Sequence, residues 1–382
     1  VWITGLTSFF TDISSEMVYP IISLYIKALG GGAVALGFIE GLAESTASIL
    51  KVFSGAISDR IGKRKPLAIS GYSLSALGKF LFYLARSWPV VLAGRVVDRF
   101  GKGVRTAPRD ALIAESVGKK KRGGAFGLHR AMDTAGAVIG ILIAYWLISK
   151  FHLHAGEPSL WIPVFKKLLL ASLVPALLGI IILLAAVETG RGALGSSVRL
   201  SFSGLDRRLR WVLAVVFLFT LGNSSNQFIL LRAAEPDLGF SPQRVILLYL
   251  FYNLFYMAVS YPAGRLSDKI GRKPLLILGY LLYSSSYFLI ALKPGMIWAA
   301  MGIYGLYSGV SEGVMKALVA ELAPRERKAT LLGLLSTLEG IGLLPASLIA
   351  GFLWFSISPS APFLFGGGAA LMAALLFWWK VR

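Results

Sequence analysis

Apolar stretches long enough to cross a membrane recur from one end of this 382-residue chain to the other, among them ALGFIEGLAESTASIL, KLLLASLVPALLGIIILLAAV and FLFGGGAALMAALLFWW. A helix rising about 1.5 Å per residue needs roughly 18–20 apolar residues to span the hydrocarbon layer. Repetition of such runs leaves little room for a soluble core. The composition agrees: 56% of residues are hydrophobic and 15% charged, where soluble chains carry about a quarter charged. The runs therefore predict an all-α membrane protein with twelve transmembrane helices, at roughly 1–29, 33–58, 66–86, 88–116, 124–149, 162–187, 210–233, 241–264, 274–292, 295–322, 328–355 and 359–380.

A formal charge of +20 raises nucleic acid as a partner. The placement of the charge argues against it. Basic residues cluster in alternate short loops, DRIGKRK at 59–65, GKKKRGG at 118–124, DKIGRK at 268–273 and RERK at 325–328, and in a longer connection rich in Gly, Ser and Arg. With the first residue inside, every one of these falls on the cytoplasmic side, as the positive-inside rule requires. Both termini are then cytoplasmic, and a bacterial inner membrane is expected. The first run is too long for a signal-peptide core and contains Asp12 and Glu16, so it reads as a retained helix; the leading Val1 suggests a few residues upstream. Cysteine is absent, which excludes disulfides and thiol ligands. The histidines at 129, 152 and 154 show no metal-ligand spacing, so no metal and no cofactor are expected.

The chain repeats itself. GAISDRIGKRKPLAISGY at 55–72 returns as GRLSDKIGRKPLLILGY at 264–280, so that Gly55, Asp59 and Gly62 correspond to Gly264, Asp268 and Gly271. ALIAE at 111–115 returns as ALVAE at 317–321, and Asp133 corresponds to Glu339. The expected organisation is an N-terminal six-helix bundle over 1–187, a cytoplasmic linker over 188–209 and a C-terminal six-helix bundle over 210–382. Such duplicated halves are pseudo-symmetric and place a site at their interface.

The loop GAISDRIGKRK between spans two and three, echoed between eight and nine, resembles the signature loop of the major facilitator superfamily. The resemblance covers the whole chain and implies a central cavity lined by spans one, four, seven and ten. It also implies a gating latch built on the motif residues Gly55, Asp59 and Gly62: Gly55 lets a helix of the other half approach closely, Asp59 is bridged by Lys63 or Arg64 to Glu115, and the second half repeats it with Gly264, Gly271 and the trio Asp268, Arg272 and Glu321. Arg95 matches an arginine that the family's exchangers link with proton coupling, although Asp98, Arg99 and glycines at 101 and 103 depart from that pattern. Span five, MDTAGAVIGILIA, lacks the Gly-Pro pair of the family's antiporter motif.

Charges inside spans are the remaining feature. In GRVVDRFGKGVRTAPRD, residues Arg95, Asp98, Arg99, Lys102, Arg105 and Arg109 fall within about 120° of an ideal helix. A charge facing lipid at the bilayer centre costs at least about 2.5–3.5 kcal/mol, so this stripe must face protein or water. Asp12 and Glu16 in span one, Glu40, Glu44 and Lys51 in span two, and Arg130 and Asp133 in span five are the expected partners. Buried ion pairs that merely lock helices are the plain alternative. The second half instead offers hydrogen-bonding and aromatic groups: Asn223, Asn226 and Gln227 in span seven, Tyr252, Asn253 and Tyr256 in span eight, Glu312 and Lys316 in span ten, and Glu339 in span eleven. Tyrosines so spaced also serve as packing.

These features point to a monomeric secondary transporter of a small anionic or zwitterionic organic solute, working in the lipid bilayer by alternating access with protons as coupling ion. An exporter of hydrophobic drugs or lipid-like compounds is the main alternative, and a non-transporting membrane sensor a lesser one. No nucleotide-binding loop, His/Cys cluster or nucleophile elbow supports an enzyme.

Overall fold

The structure, a computed structural model, describes residues 1–61, 63–116, 122–151, 153, 158–186, 206–322 and 328–381. Among the described residues there is no β-strand. The first span consists of α1 (Trp2–Val18), a 3-10 turn at Tyr19–Ile21 and α2 (Ile22–Ala28). Next come α3 (Ala33–Ile61), α4 (Lys65–Leu84), α5 (Trp88–Glu115), α6 (Arg122–Ser149) and α7 (Pro158–Leu184). The seventh span is divided between α8 (Arg207–Gly222) and α9 (Gln227–Ala233). It is followed by α10 (Pro242–Ile270), α11 (Arg272–Leu292), α12 (Ile297–Leu322), α13 (Lys328–Ser356) and α14 (Ala361–Lys380). The twelve spans form two six-helix bundles. Gly62 and most of the expected linker lie outside the described residues, as do His152 and His154, the side chains of Asp59 and Glu115, and the surroundings of Gly55.

The first and seventh spans are broken where continuous helices were expected. Pro20 has no N–H to donate and opens the 3-10 turn of span one. In span seven the break falls at NSSN, residues 223–226, whose short polar side chains compete with helical hydrogen bonds. Backbone groups freed inside a membrane need new partners. The seventh-span break supplies them for the first: Gln227 Nε2 donates to Tyr19 O at 2.8 Å, and Ser23 N donates to Gln227 Oε1 at 3.2 Å. Gln227 is fully buried there.

Glycines set the helix spacing. A Cβ on Gly140 of α6 would strike the carbonyl oxygen of Ile13 on α1, and one on Gly37 of α3 would strike that of Ser347 on α13. The α3–α13 seam joins the two bundles from Ala33 and Gly351 at one end to Ser48 and Gly340 well beyond its middle, and Ser45 Oγ donates to Gly340 O at 2.6 Å.

The bundles close at one end. The end carrying the helix termini near Ile61, Lys65, Glu115, Leu184 and Arg207 is the basic end; Lys27, Ile148 and Glu235 lie at the opposite one. At that opposite end Lys27 Nζ meets Glu235 Oε1 at 2.9 Å and Ala234 O at 3.0 Å, and Gln243 Nε2 donates to Phe151 O at 2.8 Å. In the loop beside this contact, hydrogen bonds from Arg232 hold the Asp237 carboxyl below its usual range. Toward the basic end, Arg130, Glu312 and Lys316 are exposed, and a Cβ added to Gly264 would meet nothing within 4 Å. Gly264, the counterpart of Gly55, therefore makes no close approach to a neighbouring helix.

Replacing Gly140 with Val should overpack the α1–α6 contact and cost about 1–3 kcal/mol. Thermal unfolding in detergent, compared with a Gly333→Val control whose Cβ meets open space, checks this.

Candidate functional site

A cavity of about 500 Å³ lies between the halves, lined by α1, α3, α4 and α5 on one side and by the span-seven break, α10, α12 and α13 on the other. Its first wall is charged. Arg95 grips Glu40 with both arms of its guanidinium, Nε to Oε1 at 2.8 Å and Nη2 to Oε2 at 3.0 Å, and both residues are buried. Ser225 from the seventh-span break donates to the same carboxylate at 3.1 Å. One turn along, Arg99 Nε stands 3.0 Å from Glu44. Asp98 lies between the two arginines at 3.7 and 3.8 Å. Arg95 with Glu40 and Arg99 with Glu44 form two helix-to-helix pairs, and Asp98 shares both arginines, in a site where an unpaired ion would be costly.

Other ions on this wall are not so paired. Lys79 Nζ donates to Ser14 Oγ at 2.6 Å and Ser15 Oγ at 3.2 Å. Arg105 donates to Ser75 Oγ at 2.6 Å and lies 4.4 Å from the centre of the Tyr72 ring. Both partners are neutral. Among the described residues, Lys79, Lys102 and Arg105 have no carboxylate within 4.0 Å, and Asp12 and Glu16 have no lysine or arginine nitrogen within that distance. Glu16 instead accepts a hydrogen bond from Tyr249 Oη across the cavity at 3.0 Å.

The second half lines a contiguous pouch of about 330 Å³ that shares Asn223, Tyr304, Glu312 and Leu343 with the first cavity. Tyr252, Tyr256, Tyr280, Tyr307 and Phe219 wall it, with Glu312, Lys316 and Glu339 as its charged groups. Glu312 is occupied: Tyr256 Oη donates to it at 2.6 Å and Lys316 at 3.0 Å. Asn226 Oδ1 takes the hydroxyl of Tyr304 at 2.5 Å.

Of the residues singled out from the sequence, Asp12, Glu16, Glu40, Glu44, Arg95, Asp98, Lys102, Arg105, Asn223, Asn226 and Glu312 line the main cavity. Tyr252, Tyr256, Lys316 and Glu339 line the pouch. Six line neither. Lys51 lies toward the basic end of α3. Arg109 is held by its neighbour Asp110 at 2.8 Å. Asp133 meets His129 at 3.5 Å, one turn away on its own helix. Arg130 reaches Tyr256 Oη at 3.3 Å from outside the cavity wall. Asn253 turns back to Tyr249 O of its own helix at 2.9 Å, and Gln227 is spent on the broken backbone of span one. Along the expected stripe on α5, Arg95, Asp98, Arg99, Lys102 and Arg105 line the one cavity, with Arg95 and Arg99 against α3 and Arg105 against α4. Lys79 was missed, although a lysine inside SALGKFLFYL is a signal on the same grounds as the arginines.

The profile of the Major Facilitator Superfamily matches residues 4–231 and 212–382. An MFS-type transporter of Methanocaldococcus jannaschii is 37% identical over 98% of this chain and 93% of its own length. The chain belongs to the major facilitator superfamily. Multidrug resistance protein MdtH of Proteus mirabilis is 30% identical over 81% of this chain and 76% of its own. The crystal structure of the nucleoside transporter NupG superposes with a TM-score of 0.79 at 12% identity, covering 100% of this chain and 99% of that one, a likeness of fold.

The acidic and basic trio expected in the second half is brought together. Arg272 bridges Asp268 at 2.8 Å and Glu321 at 3.1 Å. All three residues belong to one bundle, so the trio ties α10, α11 and α12 together without crossing to the other half. Their exposure limits each pair to about 0–1 kcal/mol. In the first half, Arg64 donates to Ser58 Oγ at 2.8 Å, and Lys63 is exposed. Gly271, with φ of 90°, opens the turn into α11 in a conformation that favours glycine.

Removing one partner of a buried pair leaves the other charged and unpaired, at about 3–5 kcal/mol. Glu40→Gln should therefore destabilise the protein by that order, and Glu40→Gln with Arg95→Gln should recover part of it. A double-mutant cycle on thermal or denaturant unfolding in micelles is the check.

Proposed function

We propose that this superfamily member is a secondary active transporter of a small organic anion or zwitterion, coupled to protons and working by alternating access. The carrying observation is the trio Lys79, Lys102 and Arg105 on the cavity wall, cations with no carboxylate within 4.0 Å. The Arg105 guanidinium and the Lys79 ammonium are held by neutral hydroxyls, and all three cations retain their attraction for an incoming carboxylate or phosphate. Asp12 and Glu16 line the same space without a cationic partner, which makes them the groups to carry the coupled proton. Residues at proton-relay positions within membranes are commonly carboxylates of this kind.

The basic end is read as cytoplasmic because alternate loops there carry the lysines and arginines. Both termini then face the cytoplasm, and the parted halves open the cavity inward. A bacterial or archaeal plasma membrane fits the kinship with prokaryotic relatives. The protein acts as a monomer on this reading, since one chain supplies both walls of the cavity.

Export of lipophilic compounds is the second reading. It draws on the tyrosine-walled pouch and on the relative named for multidrug resistance. The two readings differ in which wall governs affinity.

Reconstituted protein with an internal pH dye, challenged with carboxylates, organophosphates, zwitterions and lipophilic cations, separates them. Arg105→Gln and Lys79→Gln should each reduce transport of a carboxylate about 10–100-fold, as expected for a hydrogen bond to a charged group of about 1.5–3 kcal/mol. Asp12→Asn or Glu16→Gln should abolish accumulation driven by a pH gradient while sparing counterflow exchange. Gradient-driven accumulation that persists in both variants would sink the coupling scheme.

A further inference from the structure

The pouch in the second half contains one charge that nothing answers. Glu312 and Lys316 neutralise each other at 3.0 Å, and Tyr256 adds a hydrogen bond to Glu312. Glu339, the third charged group on the pouch wall, has no hydrogen bond and no cation within 4.0 Å among the described residues. The cations that act on it from a distance are Lys316, already committed to Glu312, and Lys51 of α3. Aromatic rings surround the same space. Phe219 packs 4.8 Å from Tyr280 and 5.9 Å from Tyr307, centre to centre, and Tyr304 lies 5.4 Å from Tyr252 and 5.5 Å from Tyr307. A further polar group is idle: Ser311 Oγ, on the pouch wall, is buried without a hydrogen-bond partner.

A lone carboxylate among aromatic faces selects for one kind of ligand. Ring quadrupoles attract cations over their faces, and do so more strongly where water is displaced. The carboxylate contributes the counter-charge, and an anion would meet repulsion from both. We propose that the pouch binds an organic ammonium group, with Glu339 as its counter-ion and the rings of Tyr280, Tyr307 and Phe219 as its cage. The pouch opens into the main cavity through Asn223, Tyr304 and Leu343. A solute seated in both places carries an acid toward Arg105 and an amine toward Glu339, which makes it a zwitterion with a hydrophobic body between the charges. This last step rests on the transport reading given above; the ammonium site itself does not.

Three benzyl or phenyl compounds of similar size separate the two sites: benzyltrimethylammonium, benzyl alcohol and benzoate, titrated against purified protein in lipid nanodiscs by calorimetry. The wild type should bind the ammonium saturably. Glu339→Gln should weaken that binding at least 10-fold, leave benzoate unchanged, and be partly rescued by Glu339→Asp. Arg105→Gln should weaken benzoate alone. Benzyltrimethylammonium should also inhibit carboxylate transport in the wild type and lose that effect in Glu339→Gln. The ammonium site is overturned if the wild type shows no saturable ammonium binding, if Glu339→Gln binds it equally well, or if that variant loses benzoate by the same factor. Ammonium binding that depends on Glu339, together with benzoate binding indifferent to Arg105, would keep the pouch and remove the anion reading; the reverse would remove the pouch alone.

Discussion

A guanidinium within hydrocarbon has to be neutralised where it stands, and the Arg95–Glu40 pair shows how much of the molecule is arranged to do so. The two residues come from α5 and α3, and the third member of the cluster, Ser225, comes from the broken seventh span of the other half. For α5 to carry its cations at this depth it must be covered closely on both flanks. Glycines make that possible: Gly71 and Gly78 of α4 face the backbone at Gly101 and Gly94 of α5, and Gly103 of α5 lies against Ala47 and Leu50 of α3. Stability alone does not account for such a pair, since well-packed apolar residues would often serve as well. What apolar residues could not do is hold a hydrogen bond to Ser225, and so register one half against the break in the other.

The architecture was legible because its signals are periodic or repeated. Twelve apolar runs, alternate basic loops and the duplicated GAISDRIG and GRLSDKIG segments each state the same two-bundle fold in different terms. The presence of a charged wall was legible too, from the cost of an ion in lipid. Partners were not. Helical periodicity says that Arg95 and Arg105 share a face of α5; it does not say that α3 covers one and α4 the other. Neither break in the spans was foreseen, although Pro20 and the NSSN segment are its causes, because apolar length dominates the reading of a membrane helix. Gln227 illustrates the consequence. As one polar residue among several it resembled a ligand, and only the break at Tyr19 reveals the backbone groups it satisfies.

The halves differ in what they can yield during a conformational change. Contacts at the closed end are of two kinds. Lys27–Glu235 is partly exposed and can part at small cost, whereas Gln227 is buried between two interrupted backbones and needs water or new partners once released. The α3–α13 seam is of another nature. Gly37 and Gly351 bring backbone against backbone, while Gly41 and Gly340 admit Leu344 and Ser48 close to the helix axis. On the alternating-access reading proposed above, so close a seam is the contact that stays in place while the ends of the bundle exchange which is open.

Glu16 is where these properties meet. Its carboxylate faces the cavity without a cation within 4.0 Å, and its hydrogen bond goes to Tyr249, on a helix of the other half. A hydroxyl donates to a carboxylate more strongly than to a neutral acid. Proton binding at Glu16 therefore weakens a contact between the halves, and the same proton reduces the negative charge facing Lys79, Lys102 and Arg105. An equilibrium between conformations shifts only as far as a ligand distinguishes them. On the transport reading proposed above, a proton on Glu16 acts twice, by weakening the Tyr249 contact and by strengthening the attraction of Lys79, Lys102 and Arg105 for an anion from solution. On that reading, coupling between proton and solute requires no signal relayed through the helices, because both act on the same few side chains.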